Sequence, residues 1–416
     1  MRLFADTTPL RNRDFRRLWW AGIPTVIGAN LTIFAVPVQV YALTQSSAYV
    51  GLAGLFALVP LIVFGLWGGA LADAMDRRLL LIIASSGLAL SSVLLWAQAA
   101  LQLNNVWVVL GLLAFQQAFY AVNSPTRSAA IPRILPSDQI AAATSLNITV
   151  TQFGSIVGPL LAGLLLAWVD LSTLYLIDAV TCLLPIWATF RLAAMPPTHG
   201  GSTSLGFGAV LDGFRYLAGN TVVLMSFVVD LIAMILGMPR ALFPQMAHES
   251  FGGPVDGGTT MALLAAAMSV GAVAGGVFSG WLPRVRRQGL AVVVAIIVWG
   301  AAIVGFGVAA GAAGGRAGVL LWVAVGCLTV GGAADMVSSA LRNTILLQVA
   351  SDELRGRLQG VYLVVVAGGP RIADVLHGTA AATMGTAVAA AGGGAAVVVF
   401  VVIAALAVPA FVRYRV

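Results

Sequence analysis

The sequence contains no lysine, and only 9% of its 416 residues are charged. A soluble domain carries roughly 25% charged residues, so water cannot solvate most of the surface of this chain. Cysteine and histidine are scarce as well, with two cysteines and three histidines in the whole sequence. We therefore expect neither a disulfide framework nor a metal cluster.

Motifs for catalysis are missing too. The chain has no Gly-x-x-x-x-Gly-Lys-Ser/Thr segment, the loop that cradles nucleotide phosphates, so we expect no direct use of ATP. No Ser-His-Asp arrangement can be traced in it. These absences argue against an enzyme and against a bound cofactor.

Apolar residues are abundant instead and make up 60% of the chain. They form repeated runs of about 20 residues, the length at which a helix crosses a bilayer. The runs predict an all-α polytopic membrane protein with twelve transmembrane helices. The predicted spans cover residues 18–43, 49–72, 79–101, 106–128, 140–169, 172–192, 222–243, 259–282, 290–310, 319–341, 354–384 and 387–412.

The arginines predict how the chain is oriented. The net charge of +7 comes from arginines in the short segments between spans. Cytoplasmic loops carry an excess of basic residues, and one side of the predicted membrane holds nearly all of them here. The opposite side holds Arg316, with Arg240 near an outer end. We interpret this charge as an orientation signal, not a nucleic-acid surface, and we place both termini in the cytoplasm.

A polar interval rich in proline, glycine, serine and threonine divides the chain. It predicts a six-helix half at 1–193, a cytoplasmic linker at 194–220 and a second six-helix half at 221–416. Internal repeats support two halves. Arg127 closes span 4 and Arg342 follows span 10, and a Ser-Asp pair comes ten and nine residues later, respectively.

The segment between spans 2 and 3 carries a recognisable motif, GALADAMDRR. It resembles the signature of the major facilitator superfamily, roughly G-x-L-A-D-x-x-G-R-K/R, and matches it at Gly69, Asp73, Arg77 and Arg78. It departs at Asp76, where the family prefers glycine. Independently of the family, Asp73 can accept from a helix N-terminus or pair with an arginine across the cytoplasmic face. Such pairs would hold a transporter gate shut and break when it opens.

A second motif, GSIVGPLLAG, lies in span 5. It resembles the antiporter motif of the same superfamily, G-x-x-x-G-P-x-x-G-G, and matches at Gly154, Gly158, Pro159 and Gly163, with Ala162 as the departure. In the family this motif marks exporters. The alternative is ordinary small-residue helix packing, which is common in membranes.

Stretches of spans 1, 2 and 4 resemble the proton-coupled drug and siderophore exporter branch, which includes enterobactin, macrolide and tetracycline exporters. The resemblance implies a monomeric inner-membrane antiporter that exchanges a small molecule for protons by alternating access, with no cofactor beyond the proton gradient. An importer or symporter of a small metabolite is the alternative. A membrane protein without a transport function is a further one.

Several charges fall inside predicted spans, where each costs about 2.5–3.5 kcal/mol at the bilayer centre. The candidates for proton coupling are Asp178, Asp230, Asp335, Arg371 and Asp374. Arg371, Asp374 and His377 follow one another at intervals of three, near one helical face. Each candidate is open to two interpretations, a proton site or a static ion pair. Asp230 has no evident local partner in its span, which favours it as a single proton site.

Polar and aromatic residues in spans 1, 4 and 5 are candidates for the substrate cavity, by analogy with the superfamily. They are Asn30, Phe34, Gln39, Gln116, Phe119, Asn123, Asn147 and Gln152. The alternative for each polar residue is an interhelical hydrogen bond, worth about 0.6 kcal/mol on average.

Overall fold

The computed structural model describes residues 6–196, 219–349 and 352–415, and their side chains except those at 66, 68–70, 72, 73, 347, 349 and 352–367. All regular elements in these ranges are helical. The first half contributes α1 (Arg13–Thr44), α2 (Ser47–Ala74), α3 (Arg77–Ala100), α4 (Val106–Ile134), α5 (Ile140–Leu165), α6 (Leu171–Thr181) and α7 (Leu183–Phe190). The second half contributes α8 (Thr221–Leu236), α9 (Thr259–Val277), α10 (Gln288–Ala312), α11 (Val319–Val349), α12 (Asp352–Met384) and α13 (Thr386–Ala407).

These helices agree in number with the predicted spans. Within the described ranges, 11 stretches are long and apolar enough to cross a membrane, with α6 and α7 counted as one stretch. The remaining span is α12, which carries more charge, including Arg371 and Asp374. A helix of this length exceeds the roughly 20 residues that a bilayer requires.

The predicted end of span 4 at residue 128 is wrong, because α4 continues to Ile134. Two prolines, Pro125 and Pro132, lie inside it. A proline removes one backbone hydrogen bond and bends a membrane helix, but it ends the helix only where no neighbour compensates.

Span 6 was predicted as one helix but is divided into two. α6 ends at Thr181 and α7 begins at Leu183. Pro185 has no N–H to donate to the Thr181 carbonyl, and the Thr25 hydroxyl donates to that carbonyl instead, at 3.1 Å. Span 7 also ends earlier than predicted. α8 stops at Leu236 and is followed by a 3-10 turn at Arg240–Leu242 and a π-helical turn at Met246–Ser250.

The chain forms two compact units. One comprises Met1–Gln39 and Phe56–Gly206, and the other comprises Val40–Leu55 and Phe207–Val416. The turn between α1 and α2 therefore packs within the second unit. Most of the predicted linker, residues 197–218, lies outside the described residues, and the division at 194–220 stays a prediction.

Glycines bring helices close together inside the first unit. A Cβ added to Gly154 would collide with Val26, and one added to Gly158 would collide with the Asn30 side chain. A Cβ on Gly28 would approach the Asp178 Cα to 3.0 Å. Helix contact in a bilayer depends on close packing rather than on a hydrophobic drive, so these glycines fasten α1 to α5 and α6.

The second unit uses the same device between α10 and α13. A Cβ on Gly300 would lie 2.8 Å from the Gly394 carbonyl, and a Cβ on Gly394 would lie 2.6 Å from the Gly300 carbonyl. Trp299 is next to this contact and is only 1% exposed.

The α1–α2 turn is held by hydrogen bonds to the π-helical turn. The Tyr41 hydroxyl donates to Glu249 Oε1 at 2.9 Å. The Ser47 hydroxyl donates to Gln245 Oε1 at 2.6 Å. Gln245 Nε2 in turn donates to Glu249 Oε2 at 2.9 Å, which closes a small polar network.

Candidate functional site

A buried ion pair lies in the second unit. Arg342 of α11 contacts Asp230 of α8, and their side chains are 6% and 1% exposed. The Ser338 hydroxyl accepts from Arg342 Nε at 3.2 Å and orients the guanidinium. The sequence offers Asp230 no local partner within its span, and the structure supplies one from another helix. The role of Asp230 as a single proton site stays a prediction.

A second carboxylate, Asp335, shares this environment. It precedes Arg342 by seven residues on α11, which is two helical turns on the same face. Both Arg342 and Asp230 act on it electrostatically. Two carboxylates thus surround one arginine, and the group carries one surplus negative charge when both acids are ionised. We call Asp230, Asp335 and Arg342 the charge cluster.

A small void adjoins the charge cluster. Its volume is about 10 Å³, close to the space of one water molecule. Its lining comprises Ser226, Phe227, Asp230, Arg342, Asn343 and Leu346. Asn343 is exposed, so the void lies between the buried ion pair and a residue at the protein surface.

The remaining charged candidates in α12 face different neighbours. Asp374 lies against α2, where a Cβ on Gly54 would approach its Cβ to 2.8 Å. Arg240 and Arg371 supply the positive charge that acts on it. His377 is 2% exposed, and its Nε2 donates to the Leu236 carbonyl of α8 at 3.0 Å. The interval of three residues therefore does not bring all these side chains to one partner.

Asp178 is surrounded by neutral donors in the first unit. Its Oδ2 accepts from the Thr32 hydroxyl at 2.7 Å and from the Ser92 hydroxyl at 2.8 Å. Cys182 Sγ lies 3.7 Å from Oδ1. The side chain is 1% exposed, and no arginine of the described ranges pairs with it. Asp178 thus joins α1, α3 and α6 without a cation.

The gating motif is described in part. Gly69 and Asp73 lie on α2, but their side chains are outside the described residues, so the role of Asp73 stays a prediction. Arg77 Nη1 donates to the Ala129 carbonyl of α4 at 3.0 Å. Arg78 Nη2 donates to the Phe190 carbonyl at the end of α7, at 2.8 Å.

Asp76, the departure from the family signature, has a structural role. It is the N-cap of α3 and its Oδ1 accepts from the Arg78 N–H at 2.8 Å. The same oxygen accepts from the Met195 N–H at 3.1 Å. An aspartate at this position satisfies a helix N–H and suits the helix dipole.

The antiporter motif lies in α5, and all four of its matching residues are buried. Gly154 and Gly158 form the contact with α1, and Pro159 follows directly. This geometry accounts for the motif as helix packing. Its role in export stays a prediction.

Two of the eight predicted cavity residues, Asn147 and Gln152, line a groove of about 410 Å³. We call it the α4–α5 groove. Its lining comprises Ser128, Ile131 and Pro132 of α4, and Ile140, Thr144, Asn147, Ile148, Thr151 and Gln152 of α5. Small-molecule sites typically have volumes of about 300–1,000 Å³.

The other predicted cavity residues make contacts within the first unit. Gln39 exchanges hydrogen bonds with Gln98 at 3.1 and 3.0 Å, and its Oε1 accepts from Tyr175 at 2.8 Å. Asn123 Nδ2 donates to the Ser85 hydroxyl at 2.9 Å.

Asn30 Nδ2 donates to the Val26 carbonyl at 2.8 Å, and Gln116 Nε2 lies 3.5 Å from the Ser92 hydroxyl. Phe34 is 2% exposed, and Phe119 stacks edge-on against Phe115 at 4.9 Å. None of these six residues lines the α4–α5 groove.

Several functional candidates were missed in the sequence. The sequence repeat singles out Arg342 only as the counterpart of Arg127. Its interval of seven residues from Asp335 also indicates that the two side chains lie on one face of a helix. Thr144 and Thr151 lie three to four residues from Asn147, on one face of α5. Thr32 and Ser92 could not have been found, because only the packing of three helices brings them to Asp178.

A family model for the transmembrane secretion effectors matches residues 5–413. The chain belongs to this family of the major facilitator superfamily. Enterobactin exporter EntS of Shigella boydii serotype 18 is 25% identical over 371 residues, 89% of this chain and 86% of that protein. EntS of Citrobacter koseri is 25% identical over 374 residues, 89% of this chain and 86% of that protein.

Solved structures share the fold of this transporter. The nucleoside transporter NupG matches with a TM-score of 0.73 and 13% identity, over 97% of this chain and 100% of that one. A D-xylose-proton symporter matches with a TM-score of 0.72 and 13% identity, over 94% and 96%. The predicted major facilitator fold of twelve helices in two six-helix halves is thereby confirmed. The protein is a multi-pass membrane transporter.

Proposed function

We propose that this transporter exports a small molecule in exchange for protons by alternating access. The observation that carries the proposal is the charge cluster, where the buried Asp230 and the partly buried Asp335 share one arginine. A surplus charge in a membrane interior is costly. Binding of one proton by the cluster removes that charge, and release of the proton restores it.

The proton belongs to the cluster as a whole, because the protons of closely coupled acids cannot be assigned to one residue. Arg342 contacts Asp230 directly, and Asp335 shares the same arginine electrostatically, so one proton can be held between the two carboxylates. Movement of the guanidinium towards Asp335 would pass the proton to Asp230. The water-sized void beside Asn343 provides the entry route.

The direction of transport is supported by the relatives, which are named as exporters, and by the resemblance of the α5 motif to that of antiporters. A siderophore is the first substrate to test, followed by tetracyclines and macrolides. We place the transporter in the inner membrane as a monomer with both termini in the cytoplasm, and we assign the gate to Asp73, Arg77 and Arg78.

Everted membrane vesicles test coupling and direction together. Respiration acidifies their interior, so a proton-coupled exporter accumulates its substrate inside and a protonophore abolishes accumulation. We expect Asp230→Asn and Asp335→Asn each to remove gradient-driven accumulation while exchange of substrate down its own gradient persists. Asp170→Asn, which alters an exposed carboxylate before α6, is the matched control and should behave like wild type.

The opposite results have clear meanings. Accumulation that survives in both cluster variants would show that the cluster is a static ion pair. A symporter would give two different results. Preloaded everted vesicles would lose substrate when their interior is acidified, and right-side-out vesicles would take up protons together with the substrate. Unchanged susceptibility and siderophore release in a host strain expressing the protein would contradict export of these compounds.

A further inference from the structure

The α4–α5 groove has an unusual chemical character for a membrane span. It presents three hydroxyl groups and two carboxamides, and no residue in its lining is charged or aromatic. Thr144, Thr151 and Ser128 are exposed, and Asn147 and Gln152 are partly exposed. Polar groups at membrane depth are retained where they face protein, water or a ligand rather than lipid.

Each hydroxyl group of the groove already donates its proton in a hydrogen bond to a backbone carbonyl. Ser128 donates to the Ser124 carbonyl at 3.2 Å, Thr144 to the Ile140 carbonyl at 2.9 Å, and Thr151 to the Asn147 carbonyl at 3.0 Å. Each hydroxyl has one proton and two acceptor sites. The groove therefore offers these oxygens to a ligand as acceptors, not as donors.

The two carboxamides are not engaged by other side chains. Neither the Asn147 nor the Gln152 amide makes a hydrogen bond within the described residues, and both line the groove. Each provides one further acceptor oxygen and two N–H donors. The acceptor oxygens of the groove therefore outnumber its N–H donors. A ligand rich in O–H or N–H groups fits this lining best.

The nearest cations in the sequence are directed away from the groove. Arg127 immediately precedes Ser128, but its Nη2 donates to the Leu18 carbonyl at 3.2 Å. Arg133 immediately follows Pro132, and its Nη2 donates to the Pro196 carbonyl at 2.8 Å. A ligand anion would find the carboxamide N–H groups but no cationic side chain in the lining. A ligand cation would find neither a carboxylate nor an aromatic face.

Resting on the proposed function, we infer that the α4–α5 groove binds an uncharged ligand rich in hydroxyl donors, such as a phenol, catechol or polyol. Ile131, Pro132, Ile140 and Ile148 supply the apolar surface against which a ring of such a ligand packs. The lining has no carboxylate, which disfavours lipophilic cations.

Three probes separate these ligand classes. They are an N-alkyl-2,3-dihydroxybenzamide, its dimethyl ether, which has lost both hydroxyl donors, and tetraphenylphosphonium. Uptake is measured in everted vesicles with the membrane potential clamped by valinomycin and equal potassium. We expect accumulation of the catechol at least about tenfold above that of the ether, because the ether loses two hydrogen bonds to the groove, each worth about 0.5–1.5 kcal/mol, and no accumulation of the cation.

A pair of threonines provides matched variants. Thr151 lines the groove, whereas Thr149 is exposed on α5 outside it and makes the same kind of bond to its own helix, to the Ser145 carbonyl at 3.0 Å. Thr151→Val should lower catechol uptake about fivefold, and Thr149→Val should leave it unchanged. Asn147→Leu should lower uptake about tenfold. Asn147→Asp should lower catechol uptake and introduce uptake of tetraphenylphosphonium.

Equal uptake of the catechol and its ether, or equal effects of the two threonine variants, would overturn the inference. So would the absence of binding of radiolabelled catechol to the purified wild-type protein, measured alongside transport. Failure of the proposed function is distinguishable, because it would appear as accumulation that survives in Asp230→Asn. If Asp230→Asn loses gradient-driven accumulation but the wild-type protein takes up the catechol and its ether equally, the export proposal stands. Only the proposed ligand class is then refuted.

Discussion

The two halves of the transporter place an arginine at corresponding positions but partner it differently. In the second half Arg342 of α11 forms a buried ion pair with Asp230 of α8. In the first half Arg127 of α4 donates to the Leu18 carbonyl of α1. Gly22, one turn further along α1, lies so close that an added Cβ would be 2.7 Å from Arg127 Nη2. Both halves thus hold an arginine at this point of the predicted repeat, and of the two only Arg342 is paired with a carboxylate.

The difference extends to the rest of each half. Buried polar groups of the first half are held by neutral hydrogen bonds, as in the Asp178 site and the Gln39–Gln98 pair. The second half concentrates opposite charges around Arg342. Under our proposals this arrangement assigns proton binding to the second half and recognition of an uncharged ligand to the first.

The largest predicted effect comes from breaking the ion pair on one side only. Asp230→Leu should lower the free energy of unfolding by up to about 3–5 kcal/mol, because it removes the carboxylate that the buried guanidinium contacts and leaves Arg342 with Asp335 alone. The double variant Asp230→Leu with Arg342→Met should recover part of that stability while remaining uncoupled, because Asp335 then has no arginine beside it. Thermal unfolding in detergent, followed by size-exclusion chromatography, measures both. A double variant as unstable as the single would show that the pair is needed for packing itself.

The next prediction makes the first half resemble the second. Gly22→Asp places a carboxylate beside Arg127, whose flexible end can move to accommodate it. A hydrogen bond to a charged group contributes about 1.5–3 kcal/mol, so we expect a rise in stability towards the lower end of that range. Gly22→Asn, with nearly the same shape and no charge, is the control. If both variants destabilise the protein equally, steric crowding outweighs pairing and Arg127 needs no counter-charge.

The smallest predicted effect concerns Asp178. Asn at this position keeps a carbonyl oxygen that can accept from both Thr32 and Ser92, so Asp178→Asn should cost about 1 kcal/mol or less. Gradient-driven accumulation should persist in the same vesicle assay that is abolished by Asp230→Asn. Loss of coupling in Asp178→Asn would extend proton binding to the first half and remove the division between the halves.

Much of the fold followed from the length and number of apolar runs, since only helices satisfy their own backbone in a bilayer. Helix ends were predicted less well. α4 passes through two prolines because neighbouring groups compensate for the lost hydrogen bonds, and this compensation cannot be seen in one segment. The cap at Asp76 was visible in principle, as an acidic residue directly before a helix start.

Contacts between helices also limited the prediction of the candidate site. Asp230 and Asp335 were recognised because charged residues stand out in an apolar span. Their shared arginine was not assigned to them, because a partner on another helix leaves no trace in local spacing. In α5 the polar face was readable from intervals of three and four residues, but only Asn147 and Gln152 were selected from it.

The contacts of Asp76 and Arg133 have a mechanical consequence. They fix Met195 and Pro196 to the start of α3 and the end of α4. Met195 and Pro196, which the composition of the chain assigns to the linker, are therefore held by helices of the first unit. Asp76 immediately precedes Arg77 and Arg78 in the chain, so the residue that holds the end of the first half is also the neighbour of the gating arginines.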